Sequence, residues 1–285
     1  MSGGLQLEAA IREACLAEAT ARKLGNVHPQ ASFDDLTYGD FVASAEAAAP
    51  WLARAGELGV GPAILGAVTA TRERVNTNTN LGIALLIGPL AAVPPQLPLA
   101  EGISTVLKSL TPADANAVYE AIRWAQPGGL GHVAQADVHE APTIELPEAM
   151  RLAANRDLIA QQYVTDFALV LESARFFADG VTEERILDLQ LQLLSTHLDS
   201  LILRKCGPQT AEEARVRARD VLQAGAADSE TGRQARIALD AWLRADGHRR
   251  NPGTTADIIA ASLFVAHRDQ AWPAIGMDSP RDEPR

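Results

Sequence analysis

The chain has 285 residues, 47% of them hydrophobic and 5% aromatic, and its 25 Lys and Arg against 36 Asp and Glu give a net charge of −11. That apolar fraction supports a buried core and excludes general disorder. The acidic balance excludes non-specific nucleic-acid binding, which needs a basic surface to neutralise phosphates.

Met1–Arg12 has no basic stretch followed by an apolar run, so no signal peptide is expected. Cys15 and Cys206 lie far apart without metal-ligand spacing, which points to a reducing cytoplasm rather than a disulfide or zinc framework. Leu7, Ile11, Cys15 and Glu18 share one face of a first helix, closed by Gly25. Thr37-x-x-Asp40 is a capping box opening a helix to about Leu58, with Pro50 as a kink. Gly61-Pro62 starts another, to about Val75. Leu81–Val93 is too short to cross a bilayer and reads as a buried core helix, so no membrane partner is expected. Leu99–Leu110 follows, then a helix opened by Thr111-Pro112 and ending near Gln126.

Residues 127–146, with Pro127-Gly128-Gly129, Gly131 and Pro142, form the longest irregular stretch. Helices resume over Pro147 to about Asp179, over Thr182–Cys206 with Gly207 as stop, and from Thr210-x-x-Glu213 onward. Two more span Glu230–Ala245 and Thr255–Ala271. Period-two strand patterns are nearly absent. The expected fold is all-α, a single large bundle-like domain of about ten helices over residues 1–272, with a disordered tail at 276–285. Ala- and Leu-rich helix faces allow a homodimer without requiring one.

Five places carry more chemistry than local structure needs. Glu18 points inward, so its carboxylate needs a partner: either an ion pair with Arg22, or a place in a pocket beside the Gly25-Asn26 turn. Phe33-Asp34-Asp35-Leu36 is either a solvent-facing turn or a paired acid able to hold Mg²⁺ beside phosphates. Asn76-Thr77-Asn78-Thr79-Asn80 lies behind Arg72 and Arg74 and ahead of a helix start, a setting suited to a polar anionic ligand. Arg249-Arg250-Asn251-Pro252-Gly253 runs into Thr254-x-x-Asp257, a capping box that leaves the upstream cations unexplained and available to phosphate. Asp199, in a helix apolar nearly all round, needs a partner, and Arg204-Lys205 follows within two turns. His197 is most simply a satisfied core residue.

These residues carry a resemblance. Glu18, Lys23-Leu24-Gly25-Asn26-Val27, Asp35 and Phe41-x-x-Ser44 resemble the N-terminal signature of the triphosphoribosyl-dephospho-CoA synthase family. Asn78-Thr79-Asn80-Leu81-Gly82 lies where that family has Asn-Thr-His-Lys-Gly, and Asp199 with Arg204-Lys205-Cys206-Gly207 is similar to its Asp…Arg-x-Gly segment. Asn251-Pro252-Gly253-Thr254-Thr255-Ala256-Asp257 is similar to its C-terminal motif. The family is all-helical and moves the 5-triphosphoribosyl group of ATP to the 2′-hydroxyl of 3′-dephospho-CoA, releasing adenine.

With the resemblance, Lys23, Gly25, Asn26, Asn78, Thr79, Asn80, Arg204, Arg250, Asn251, Gly253, Thr254 and Thr255 are expected to bind the nucleotide. Glu18, Asp35 and Asp199 are the catalytic candidates, Glu18 as general base, and Asp35, Asp199 and Asp257 the Mg²⁺ ligands. The chain departs from the family at Leu24, at Phe33 in place of a histidine, and at Asn80-Leu81 in place of His-Lys. Two alternatives therefore stand beside the family reaction. One is a nucleotide-dependent enzyme with another acceptor, such as one in pterin-type cofactor synthesis; the other is a non-catalytic nucleotide-binding or regulatory protein.

Overall fold

A computed structural model describes residues 2–129, 135–225 and 229–269, so the tail expected at 276–285 lies outside the described residues. The fold is all-α. The first helices are α1 (Ser2–Thr20), α2 (Tyr38–Leu52), α3 (Ala55–Leu58), α4 (Val60–Val75) and α5 (Leu81–Ala91). Then come α6 (Leu99–Lys108), α7 (Pro112–Ala125), α8 (Leu146–Ala153), α9 (Leu158–Val164) and α10 (Ala168–Ser173). A 3-10 turn (Ala174–Phe177) leads to α11 (Glu183–Thr196), α12 (Ser200–Cys206), α13 (Pro208–Gln223) and α14 (Glu230–Arg244). A four-residue extended segment, Ala245–His248, precedes α15 (Gly253–Arg268).

The helices are more numerous than expected because several long apolar runs are broken by caps. The run from Thr37 to Leu58 stops at Ala53 and restarts as α3. Residues 147–179 divide into three helices and the 3-10 turn: the Asp157 carboxylate accepts from the Ile159 and Ala160 amides to start α9, and Phe167 adopts a left-handed φ of 61° before α10. The expected helix over Thr182–Cys206 breaks at His197, where the backbone becomes extended, and Asp199 starts α12. Thr210 and Thr254 sit inside helical first turns rather than at caps, since α13 begins at Pro208 and α15 at Gly253. The Thr37–Asp40 box and the Thr111-Pro112 helix start form as read, and Asp114 completes a second box with Thr111.

Every residue of α5 is buried, which makes it the central strut, and α15 packs along it with Ile258–Ala266 continuously inside. α1 lies across α2 and α15, α2 on α4, and α4 on α7. Alanines at positions 211, 214 and 218 let α13 approach α11 and build a smaller second cluster with Leu191, Leu194, Leu239 and Leu243. Gly25 lies against that cluster at φ +73°, where an added Cβ would sit 2.7 Å from Leu243 Cβ. Its amide donates to Asp240 Oδ1 at 2.7 Å, so this glycine fastens the loop after α1 to α14.

Candidate active site

The starts of α5 and α15 lie side by side, and with the end of α1, the loop after it, and α7, α8, α9 and α12 they enclose a cavity of about 770 Å³. Glu18, Asn26, Asp35, Asn78, Thr79, Asn80, Arg204, Asn251, Gly253, Thr254 and Asp257 all line it. Four stretches far apart in sequence thus meet around one volume of ligand size.

At its inner end stand two carboxylates. Glu18 Oε1 is 2.8 Å from Lys23 Nζ, and both side chains are sealed from solvent. The same ammonium also donates to the Glu18 carbonyl. The ion-pair reading of Glu18 is therefore right in kind, but its partner is Lys23; Arg22 turns outward to Glu183. Lys23 does not reach the cavity wall, because its charge is spent holding Glu18 in place.

Asp257 makes no hydrogen bond or ion pair to a described residue and opens on the cavity. Burial first, then the nearby charges of Glu18 and Asp199, hold its carboxyl well above the usual carboxylate range. Burial and the same Glu18 and Asp257 charges push the Cys15 thiol up to about 12, which keeps it a neutral packing group.

Gly82 explains how Asp257 fits. A Cβ at residue 82 would lie 2.0 Å from Asp257 Oδ2 and 2.7 Å from Ile159 Cδ1. Gly82→Ala should leave the fold in place, since alanine gains helix propensity of about 1 kcal/mol, but it forces the Asp257 side chain aside. The expected result, read by calorimetry with Mg²⁺ and ATP, is a loss of affinity of about tenfold or more, about 1.4 kcal/mol.

The Asn/Thr run is both scaffold and wall. Asn76 ends α4 in a left-handed turn at φ 51°, and Asn78 Oδ1 accepts from the Leu81 amide at 3.2 Å. Thr79 Oγ1 and Ser44 Oγ are 2.5 Å apart, and Asn80 Nδ2 donates to Thr71 Oγ1 at 3.0 Å. Asn26 is clamped in turn: its Nδ2 donates to Asn251 Oδ1 at 2.5 Å, and Gln190 Nε2 donates to its Oδ1 at 3.0 Å. These bonds tie the first and last motifs into one rigid corner.

Cations also border the cavity. Arg204 bonds Asp157 Oδ2 at 2.8 Å, while its Nε has no partner among the described residues. Lys205 has no ion pair to a described residue; burial lowers its pKa, with Cys206 and Asp35 opposing and Arg204 adding to the drop. A half-buried ammonium without a partner is suited to a phosphate. Arg250 is not available for that task, since its guanidinium stacks 4.7 Å from the Trp242 ring centre and donates to the Trp242 carbonyl.

The expected metal set is not gathered. Asp199 is buried off the cavity wall, its Oδ1 accepting from the Leu201 and Ile202 amides and its Oδ2 from the amide and hydroxyl of Thr255. Burial holds its carboxyl above the ordinary value even though those four bonds oppose the rise, and they commit both oxygens to joining α12 to α15. Thr255 is consumed by the same bonds and also lies off the wall. Asp35 stands at 3.4 Å from His248 Nε2. Among the described residues no three His, Cys, Asp or Glu side chains converge as a metal cage.

Sequence reasoning passed over Asp157, His248 and the apolar wall of Ile122, Leu146, Met150 and Ile159. Asp157 fell inside the single helix expected over Pro147–Asp179, and its hold on Arg204 is a contact 47 positions away that no local signal gives.

A family model described as CitG, ATP:dephospho-CoA triphosphoribosyl transferase, matches residues 5–275. A Pseudomonas savastanoi pv. phaseolicola protein named as a 2-(5''-triphosphoribosyl)-3'-dephosphocoenzyme-A synthase is 35% identical over 114 residues, which is 40% of this chain and 37% of that relative. A Pseudomonas syringae pv. tomato protein of the same name is 34% identical over 106 residues, 37% of this chain and 34% of its own. The match thus spans little more than a third of these relatives. The crystal structure of an Archaeoglobus fulgidus protein, named for triphosphoribosyl-dephospho-CoA synthase, superposes with a TM-score of 0.64 at 27% identity, covering 80% of this chain and 98% of that one.

Proposed function

The chain belongs to the CitG family of ATP:dephospho-CoA triphosphoribosyl transferases, and on that premise we propose that it moves the 5-triphosphoribosyl group of ATP to a hydroxyl of a nucleotide-like acceptor, 3′-dephospho-CoA in the first instance, with release of adenine. The observation that carries this is the convergence of Glu18, Asn26, Asp35, Thr79, Arg204, Asn251 and Asp257 on one cavity of about 770 Å³. The cavity is lined by buried carboxylates and by cations, the two kinds of group that displacement at an anomeric carbon of a polyanion requires.

Arg204 and Lys205 would clamp the triphosphate, joined by Thr254 in the first turn of α15, where the helix dipole favours an anion; the Gly253 amide is already donated to the Asn251 carbonyl and that of Thr255 to Asp199. Glu18, held by Lys23, and Asp257 would face the positive charge that develops on the ribose ring as adenine departs. Asp257 also suits Mg²⁺, which takes one or two carboxylates together with phosphates and water. The ion would neutralise phosphate charge. The apolar wall formed by Ile122, Met150 and Ile159 would exclude water from the reacting carbon and so protect it from hydrolysis.

The test is incubation with ATP, Mg²⁺ and 3′-dephospho-CoA while free adenine is followed by chromatography. Adenine formed in step with a triphosphoribosylated acceptor is the expected result, and its absence overturns the proposal. A second reading, another acceptor, is favoured by Asn80 and Leu81, which present an amide and an aliphatic chain to the cavity. Adenine release without any change in dephospho-CoA would select it.

A further inference from the structure

Pro127-Gly128-Gly129 is the turn that follows α7, and all three residues border the cavity beside the end of α12. The two glycines meet that helix end in different ways. A Cβ at residue 129 would lie 3.0 Å from both the carbonyl carbon and the carbonyl oxygen of Arg204, and the φ of +76° there is one that side chains rarely adopt. Gly129 therefore lets the turn rest on the α12 backbone. A Cβ at residue 128 would instead lie 2.7 Å from Lys205 Cε and 3.5 Å from its Nζ, so the missing side chain leaves the space that the end of Lys205 fills.

The main chain at Lys205 is pinned from the other side. Its carbonyl accepts from Arg249 Nη2 at 3.2 Å, and the Cys206 thiol donates to the Arg249 carbonyl at 3.3 Å. The ammonium stands apart from the other cations on the cavity wall. Arg72 donates to the Asn76 carbonyl, Arg156 to the Leu152 carbonyl and Arg204 to Asp157, whereas Lys205 Nζ bonds to no described residue.

We propose that Gly128 is a positioning residue: by having no side chain it seats the Lys205 ammonium on the cavity wall, where that ammonium takes a phosphate of the nucleotide. The inference rests on the phosphate-binding role of Lys205 proposed above. An ammonium is a compact charge on a flexible stem, so its surroundings must decide where it stands. A methyl group at 128 collides with the far end of that stem rather than with backbone, so it displaces Lys205 and spares the fold. At 129 the same methyl meets the Arg204 main chain at a strained φ, and the cost falls on the fold instead.

The experiment is calorimetry with ATP and Mg²⁺, and separately with inorganic tripolyphosphate, on wild type, Gly128→Ala, Lys205→Ala and the double variant, with melting temperatures recorded. Gly128→Ala should melt within about 2 °C of wild type and bind both probes about tenfold more weakly, the scale of one hydrogen bond to a charged group. Lys205→Ala should lose about as much. Adding Gly128→Ala to it should cost no more than about a further twofold, because the methyl then has no stem to displace. Wild-type affinity in Gly128→Ala, or losses that add in the double variant, overturn the role of Gly128 while the phosphate clamp stands. Wild-type affinity in Lys205→Ala overturns both.

Discussion

Asp257→Asn will raise the melting temperature of the ligand-free protein at pH 8 and remove its turnover. The carboxyl of Asp257 is buried, lacks a hydrogen-bond partner among the described residues and faces the charges of Glu18 and Asp199. Its folded-state pKa therefore lies above its unfolded value. A carboxyl raised in this way leaves stability intact below the unfolded pKa and erodes it as pH climbs through the folded one. Above its raised pKa the wild type carries a buried anion that Arg204 offsets only in part, and the isosteric amide carries none. The gain of Asp257→Asn should accordingly be largest at alkaline pH and vanish near pH 4; each kcal/mol corresponds to roughly 2–4 °C in a chain of this size. Activity moves the opposite way, by a loss of about 10²–10³ in kcat, the scale of removing one electrostatic partner of a transition state. Mg²⁺ with ATP should raise the melting temperature of wild type more than that of the variant. A variant no more stable than wild type at pH 8 would show that Asp257 is not a strained anion.

The sequence reading found the cavity's wall more readily than the roles of its residues. Helical periodicity in residues 81–93 and the Thr111-Pro112 cap were local signals, and the structure follows them because local rules decide such segments. The motifs at Asn26, Asn78–Asn80 and Asn251 were visible as polar runs without a local purpose, and they do meet. What sequence spacing could not reveal was the choice between partners at long range. Lys23 resembled a phosphate ligand until its ammonium was found on Glu18, and Asp199 resembled a metal ligand until Thr255 was found to fill it. Asp35 lies 3.4 Å from His248, a neighbour 213 positions away that no local signal reveals. For Lys23 and Asp199 the residue type was right for the site and the tertiary neighbour decided its task.

Lys23→Met will unfold the corner that Glu18 and Lys23 build, and a double variant will restore it. The Lys23 side chain is completely buried and Glu18 nearly so, with 2.8 Å between their charged atoms. Removing the cation leaves a carboxylate in a low-dielectric site beside Asp257, and breaking such a pair costs about 3–5 kcal/mol. The melting temperature should fall by about 10 °C on that scale. Glu18→Gln alone strands the ammonium instead and should be similarly costly. Replacing both, as Glu18→Gln with Lys23→Met, removes both charges, and apolar replacements of buried pairs are often neutral or stabilising. The double variant should therefore regain most of the lost stability, giving a coupling energy of several kcal/mol in a double-mutant cycle. Its turnover should stay low, because Glu18 faces the cavity and Lys23 does not. Additive losses in the double variant would mean that the two charges act separately. Full activity in it would remove Glu18 from the reaction and leave Asp257 as the carboxylate opposite the ribose.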